Sequence, residues 1–206
     1  MAGSKDLFKE FAYQVDYEKP VIRLAHRGTV VMETPRLIMR PFREEDAPLM
    51  FRNWASDPEV TKYLTWPTHR SEEDSLGYIH FLLDSYRQPD FYNWALVLKE
   101  TGELIGNISV VTIDEPLSSA SLGWVIGRKW WGQGLVPEAG MVLRDFLFDQ
   151  VGFHRVWAKH DGDNPKSGRV MQKIGLLHEG RLRAAGLNTR GIVDIEIYGL
   201  LAEDRK

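Results

Sequence analysis

Apolar and polar positions fall into short, bounded blocks from Thr29 onward. In "TVVMETPRLIMRPF" a Thr-Pro break divides two runs of strand composition, and Leu37 and Met39 alternate with Ile38 and Arg40. "REEDAPLMFRNWAS" (43–56) reads as a helix, with acids in its first turn where the helix dipole favours them. "DPEVTKYLTWP" (57–67) is a short helix or turn that stops at Pro67. Ser71, with Asp74 three residues on, predicts a capping box and a helix burying Leu76, Ile79, Leu83 and Tyr86. "YNWALVL" (92–98) and "LIGNISVVTI" (104–113), joined by the turn "KETGE", predict an antiparallel hairpin, and "SLGWVIG" (121–127) a third strand. In "VPEAGMVLRDFLFDQ" (136–150), Ala139, Val142, Leu143, Phe146 and Leu147 share one helical face. A strand "FHRVWAKH" (153–160) follows, then a short helix (164–175) ending at Gly175 as C-cap. "LLHEGRLR" (176–183) and "IVDIEIYGLL" (192–201) are the last strands. A strand, helices and then β-β-β-α-β-α-β-β make one mixed α/β domain.

Residues 1–30 fit this scheme least. Leu7, Phe8, Phe11 and Val15 could form one apolar helical stripe, and a cloning remnant, a docking helix and a partner segment all stay open, a docked extension being favoured. The chain therefore divides into an N-terminal extension over 1–30 and a domain over 31–206. At 206 residues and 43% hydrophobic content there is core for one domain, and a second full one would be tight. A net charge of −3 gives no basic footprint for nucleic acid. The absence of cysteine excludes disulfides, thiolate zinc sites and a cysteine nucleophile. Lys9 and Glu10 interrupt any signal-peptide core, and no apolar run approaches the roughly 18 residues of a membrane span, so no membrane partner is expected and the cytoplasm is the simplest address. His154 and His160 share a strand face but stand some 20 Å apart at about 3.3 Å per residue, too far to share an ion. His26, His80 and His178 show no ligand spacing, and no metal is expected.

The chemistry concentrates in "WVIGRKWWGQGLVPEAG" (124–140). Gly132-Gln133-Gly134 lies between a strand and a helix. A helix N-terminus offers about four unpaired N–H groups and a partial positive charge, which suit an anion. Pro137 sits in the first turn, where its missing N–H costs nothing, and Arg128 and Lys129 add charge. A nucleotide P-loop is ruled out, because Leu135 and Val136 stand where Lys and Ser/Thr are needed. A dinucleotide fingerprint fails at Pro137. From spacing alone, an anion loop and a ligand-free glycine connector remain open.

The wider stretch resembles motif A of the GNAT (Gcn5-related) N-acetyltransferases, Gln/Arg-x-x-Gly-x-Gly/Ala, with Lys129 at the Gln/Arg position. "TPRLIMRPFREEDA", "TGELIGNISV", "WWGQGLVPEA", "NPKSGRVMQKIGLLHEGRLR" and "DIEIYGLL" are similar, in order, to segments of the branch of ribosomal-protein N-acetyltransferases that includes RimJ and RimL. The likeness spans roughly residues 33–201. It implies a single GNAT-like domain with a mixed central sheet flanked by helices and splayed between the fourth and fifth core strands. It further implies acetyl-CoA as co-substrate, no metal, and an amine acceptor: a peptide N-terminus or a small molecule. Backbone N–H groups of Trp124, Val125, Ile126 and Gly127 would then hold pantetheine and polarise the thioester. Those of Lys129, Gly132, Gln133, Gly134, Leu135 and Val136 would hold the pyrophosphate.

The resemblance assigns Asn164 to the pantetheine arm, beside its ordinary role as helix N-cap, the better supported of the two. Ser167 matches a serine that can protonate the leaving thiolate, although a solvated first-turn hydroxyl explains it as well. Two features of relatives are missing. Met171 stands where many carry an acidic tyrosine, and Gly186 where some carry a glutamate base. An α-amine, with a free pKa of about 7.7–8.0, needs a base less than a lysine near 10.4. For the acceptor side the candidates are Tyr63, Trp66, His69 and Asp194. Core packing suits the two aromatics better, His69 reads as exposed, and Asp194 is either an exposed strand charge or an amine anchor. A non-catalytic acyl-CoA-binding or sensing module of the same fold is the main rival, and a nucleotide-binding enzyme a weaker one. A homodimer stays open.

Overall fold

The computed structural model describes residues 22–205. The apolar stripe expected over Leu7–Val15 lies outside them. Residues 22–31 run along the body of the domain: Ala25 N–H donates to the Val151 carbonyl at 2.8 Å, and the Trp94 indole donates to the Val30 carbonyl at 2.6 Å.

Eight strands form one sheet in the order β1-β2-β3-β4-β5-β6-β8-β7. They are β1 (Met32–Glu33), β2 (Leu37–Arg40), β3 (Asn93–Leu98), β4 (Leu104–Asp114), β5 (Ser119–Ile126), β6 (Arg155–Asp161), β7 (Leu177–Asn188) and β8 (Gly191–Leu201). All pairs are antiparallel except β5 with β6. Strand β3 is buried on both faces, and its period of two sorts them. Trp94 and Leu96 join the core under α4 (Leu135–Phe146) and α5 (Pro165–Ile174). Ala95 and Val97 join the core under α1 (Ala47–Met50), its π-helical continuation Phe51–Ala55, and α3 (Glu72–Ser85). A further short helix, α2 (Pro58–Thr61), follows α1 and its continuation.

Helix α4 shows what holds an element here. It contains Gly140, a poor helix former in a helix interior, whereas Pro137 lies in its first turn. It buries Leu135, Val136, Ala139, Leu143 and Phe146. Each large apolar side chain removed from water contributes roughly 1.5–3 kcal/mol, which outweighs the propensity deficit. Gly140 has a packing reason: a Cβ there would stand 2.3 Å from Ile174 Cδ1, so α5 comes closer than any larger residue would allow.

The functionally decisive feature is where β5 and β6 part. They pair from Ser119↔Arg155 to Leu122↔Ala158 and no further. Beyond that, β5 stays with β4 as far as Gly106↔Ile126, and β6 stays with β8 as far as Asp161↔Ile195. Each strand keeps its outer partner while the inner edges diverge, so the sheet forks between the fourth and fifth strands counted from β2, as the family resemblance implied.

Several boundaries differ from expectation. Helix α3 turns Ser75, Ile79 and Leu82 inward, whereas Leu76 and Leu83 are only half-buried. The expected stripe is rotated because Ser75 is drawn in by a hydrogen bond with His69 Nδ1 at 2.8 Å. Ser71 is the N-cap residue but makes no side-chain cap bond, and Asp74 instead accepts from the Arg70 N–H at 2.8 Å. Strand β7 continues past the expected Arg183 to Asn188, through register shifts between His178 and Gly180 and between Leu182 and Gly186. Such bulges let residues that read as a turn remain in a ladder.

Gly106 faces the last paired residue of β5, and a Cβ there would lie 2.2 Å from the Val125 carbonyl oxygen. Gly106→Ala should lower stability by about 1–3 kcal/mol, read as a drop in Tm. An unchanged Tm would show that β4 and β5 are not packed as described.

Candidate active site

The forked edge of β5 presents backbone groups. Gly127 N–H donates to the Ile105 carbonyl at 2.9 Å, so it faces β4. Alternation along the strand turns Val125 the same way and Trp124 and Ile126 toward the fork. Of the four N–H groups expected there, those of Trp124 and Ile126 open into the fork, whereas those of Val125 and Gly127 are turned to β4. The Ile126 carbonyl accepts from the Trp131 indole at 2.8 Å, and Lys166 Nζ, from the start of α5, lies 4.6 Å from the Trp131 ring. Trp131 thus spans from the end of β5 to α5.

The glycine loop follows directly. Gly132 and Gly134 take φ of 76° and 75°, left-handed values that other residues adopt at a cost of about 1–2 kcal/mol. Among the described residues nothing accepts from the N–H groups of Gly132, Gln133 or Gly134. Those of Leu135 and Val136 lie in the first turn of α4, where helix geometry supplies no acceptor. Five donors therefore gather at the N-terminus of a helix whose dipole adds positive potential.

The two cations expected at this mouth are committed elsewhere. Lys129 Nζ pairs with Glu103 at 2.9 Å and stands 5.0 Å from the Trp130 ring, while Arg128 pairs with Asp57 at 3.0 Å. A different cation adjoins the loop. Arg36 NH1 donates to the Gln133 carbonyl at 3.0 Å, and its Nε and NH2 each meet Glu138 Oε2 at 2.7 Å. Glu138 Oε1 also accepts from the Thr34 hydroxyl at 2.5 Å and from the Arg36 N–H at 2.9 Å. Burial alone would push the Glu138 carboxyl up, but these donors outweigh it and hold it below the ordinary glutamate value. A groove of about 540 Å³, lined by Arg36, Gly134, Pro137, Glu138, Met141 and Lys173, opens on this side of the loop.

Across the fork, Asn164 occupies the N-cap position of α5 but makes no side-chain cap bond. Its backbone closes the turn instead: Asn164 N–H donates to the Asp161 carbonyl at 2.8 Å, and Ser167 N–H to the Asn164 carbonyl at 3.1 Å. The expected capping role of the Asn164 amide is therefore corrected. That amide and the Ser167 hydroxyl have no partner among the described residues. His160 is buried behind α5, with Nδ1 2.7 Å from the Asp161 carbonyl and Nε2 unpaired. A Cβ on Gly168 would stand 2.7 Å from that Nε2, so this turn of α5 lies directly on the imidazole. Met171 is core, at 1% exposure, and offers no acid.

The remaining candidates sit around the tip of the β7–β8 hairpin. Thr189 N–H donates to the Leu64 carbonyl at 3.0 Å, and its hydroxyl to the Lys62 carbonyl at 2.9 Å. Arg190 stacks on Tyr63 at 5.4 Å and pairs with Asp161 and Asp163. The hairpin tip is thereby strapped to the segment after α2, with Tyr63 under the strap. Trp66 and His69 lie together, ring centroids 5.1 Å apart, and Trp66 packs against the α1/α3 core. His69 is half-buried rather than exposed, and burial lowers its pKa against the pull of Asp74. Asp194 is occupied by the Ala184 N–H and Arg181, both at 2.8 Å, which hold its carboxyl below the usual range. Asp161, at the end of β6, was not legible as a site residue. It accepts from Asn188 at 2.7 Å, and only the fold brings those two together. No group of three His, Asp or Glu able to hold a metal ion occurs among the described residues, and none of their helices is long and apolar enough to cross a membrane.

Comparison with known proteins agrees with this architecture. Residues 36–177 match the family model described as an acetyltransferase (GNAT) domain. The uncharacterized N-acetyltransferase p20 of Bacillus licheniformis is 29% identical over 171 residues, 83% of this chain and 96% of that protein. The [ribosomal protein uS5]-alanine N-acetyltransferase of Escherichia coli is 27% identical over 161 residues, 73% of this chain and 80% of that one. The solved structure of a GNAT-family acetyltransferase from Bacillus anthracis superposes with a TM-score of 0.74 at 25% identity, covering 84% of this chain and 99% of its own. The chain belongs to the GNAT acetyltransferase family, a family of acyltransferases.

The depressed Glu138 carboxyl fixes a sign. Its stabilisation is complete above the unfolded glutamate pKa, about 4.3, and is lost as pH falls through the lower folded value. Glu138→Gln should cost about 1.5–3 kcal/mol at pH 7, with the difference from the parent shrinking in acid. Equal Tm at pH 7 would contradict the clamp.

Proposed function

We propose that this chain transfers the acetyl group of acetyl-CoA directly to a primary amine, an N-terminal α-amine being the acceptor the site suits best. The observation that carries the reading is the forked sheet continuous with five free N–H donors at the start of α4. A diphosphate suits the loop, and an extended amide-bearing arm suits the open strand edges. Pantetheine would run along the fork, its amides meeting the Trp124 and Ile126 edge and the free Asn164 side chain.

The chemistry needs few side chains. The neutral amine nitrogen attacks the thioester carbonyl carbon, and the oxyanion that forms is stabilised by a strand N–H aimed into the fork. The C–S bond then breaks, the amide nitrogen releases its proton to water, and the CoA thiolate takes one from the Ser167 hydroxyl, which water restores. Products are the acetylated amine and CoA thiol. At the position of the missing glutamate, Gly186 lies in the β7 bulge with its Cβ position against Ile195 and Val193, so a base must come from elsewhere or through water. This favours an amine already neutral near pH 8. The name of the uS5-alanine N-acetyltransferase relative points the same way. The acceptor would enter beneath the strap, beside Tyr63 and Arg190.

Incubation with acetyl-CoA and a peptide beginning with alanine should release CoA thiol and acetylate the α-amine by mass spectrometry. The rate should rise with pH and level off above about 8. Ser167→Ala should lower kcat roughly 100-fold with KM for acetyl-CoA little changed. Acetyl-CoA binding without turnover on any amine would mark a sensing module, and acetylation confined to lysine ε-amines would overturn the acceptor class.

A further inference from the structure

Arg36 lies about a hundred positions before the loop and belongs to the turn between β1 and β2. That turn is tied at both ends. Thr34 N–H donates to the Leu37 carbonyl and Leu37 N–H to the Thr34 hydroxyl, each at 2.9 Å, while Lys99 N–H donates to the Arg36 carbonyl at 2.9 Å. The Arg36 guanidinium is held on one side by Glu138, whose side chain is 15% exposed, and on the other reaches the Gln133 carbonyl at 3.0 Å. Its NH2 lies 3.7 Å from where a Cβ on Gly134 would be.

The consequence follows from peptide planarity. In a trans peptide the carbonyl of Gln133 and the N–H of Gly134 point in opposite directions and cannot rotate independently. Gly134 has a left-handed φ and no side chain, so on that side the Gln133–Gly134 plane has no packing to fix it, while the Gln133 amide is turned back to the Lys129 carbonyl at 3.1 Å. Arg36 supplies that restraint by drawing the Gln133 carbonyl to itself at 3.0 Å, which turns the Gly134 N–H to the side away from the guanidinium. Glu138 carries the other half: it belongs to the first turn of α4 and donates its own N–H to the Gly134 carbonyl at 3.2 Å. Its carboxylate sets the guanidinium, and the guanidinium sets the peptide.

We propose that Arg36, locked by Glu138, is a positioning residue for the anion loop: it fixes the Gln133–Gly134 peptide so that the Gly134 N–H faces a bound diphosphate. The proposal rests on acetyl-CoA being the ligand of this loop. A lysine ammonium, a single point of charge on a flexible stem, does not reproduce the fixed geometry by which Nε and NH2 hold Glu138 while NH1 holds Gln133.

The test compares acetyl-CoA with S-acetylpantetheine, which carries the same thioester and arm but no diphosphate. Arg36→Gln and Arg36→Lys should each raise KM, and the calorimetric Kd, for acetyl-CoA by roughly tenfold or more, with kcat within about twofold. The kcat/KM for S-acetylpantetheine should be unchanged, which a general loosening of the fold would not leave intact. Should Arg36→Gln fail to fold, Arg36→Lys, which keeps the charge and one contact to Glu138, carries the comparison. Unchanged acetyl-CoA affinity in a folded variant, or an equal loss on both substrates, overturns the positioning role alone. No binding of acetyl-CoA by the parent protein overturns the functional reading and this inference with it.

Discussion

The structure turns on an interrupted ladder. Strands β5 and β6 share four paired positions and then separate, each retaining its outer neighbour. An unpaired strand edge inside a sheet is costly unless something satisfies it, because buried backbone N–H and C=O groups nearly always find partners. Here the edge opens into a cleft that Trp131 bridges, joining the end of β5 to Lys166 at the start of α5. The same opening that weakens the sheet offers an amide-bearing ligand a strand to pair with.

The glycine loop extends this logic from the end of β5 into α4. Its donors are backbone groups, so the side chains nearby serve to hold the backbone still. Arg128 and Lys129 are consumed by Asp57 and Glu103, and those pairs tie the loop to α2 and to the β3–β4 turn. The Glu138 clamp ties the other side to the β1–β2 turn. On the β6 side of the fork, where Arg190 also pairs with Asp161, Thr189 and Arg190 strap the hairpin to the segment after α2. Four ties between elements distant in sequence thus converge on one cleft.

How much of this the sequence discloses depends on the range of the interaction. The stripe of α4, the alternation of β2 and the strand–glycine–helix succession are local patterns, and all three were legible. So was the missing tyrosine, since Met171 has an apolar residue's place in the core. The rotation of α3 was not, because it depends on Ser75 meeting His69 in a preceding loop. Asn164 looked like an ordinary cap because the side chain suits it, yet the turn closes through backbone bonds and the amide stays free. Glu138 stood within the quoted motif, but its partners Thr34 and Arg36 lie about a hundred positions away. The pairing of Lys129 was hidden for the same reason, its partner Glu103 coming from the other side of the β4–β5 hairpin.

The central claim is that one ligand engages the loop and the forked strand edge together. Hydrogen exchange of the backbone amides, read residue by residue with and without acetyl-CoA, tests it directly. The account predicts slowed exchange at Gly132–Val136 and at Trp124 and Ile126 in the same complex, with Val125 and Gly127 already protected in the free protein by β4. Protection of the loop without the strand edge, or of neither, would contradict it.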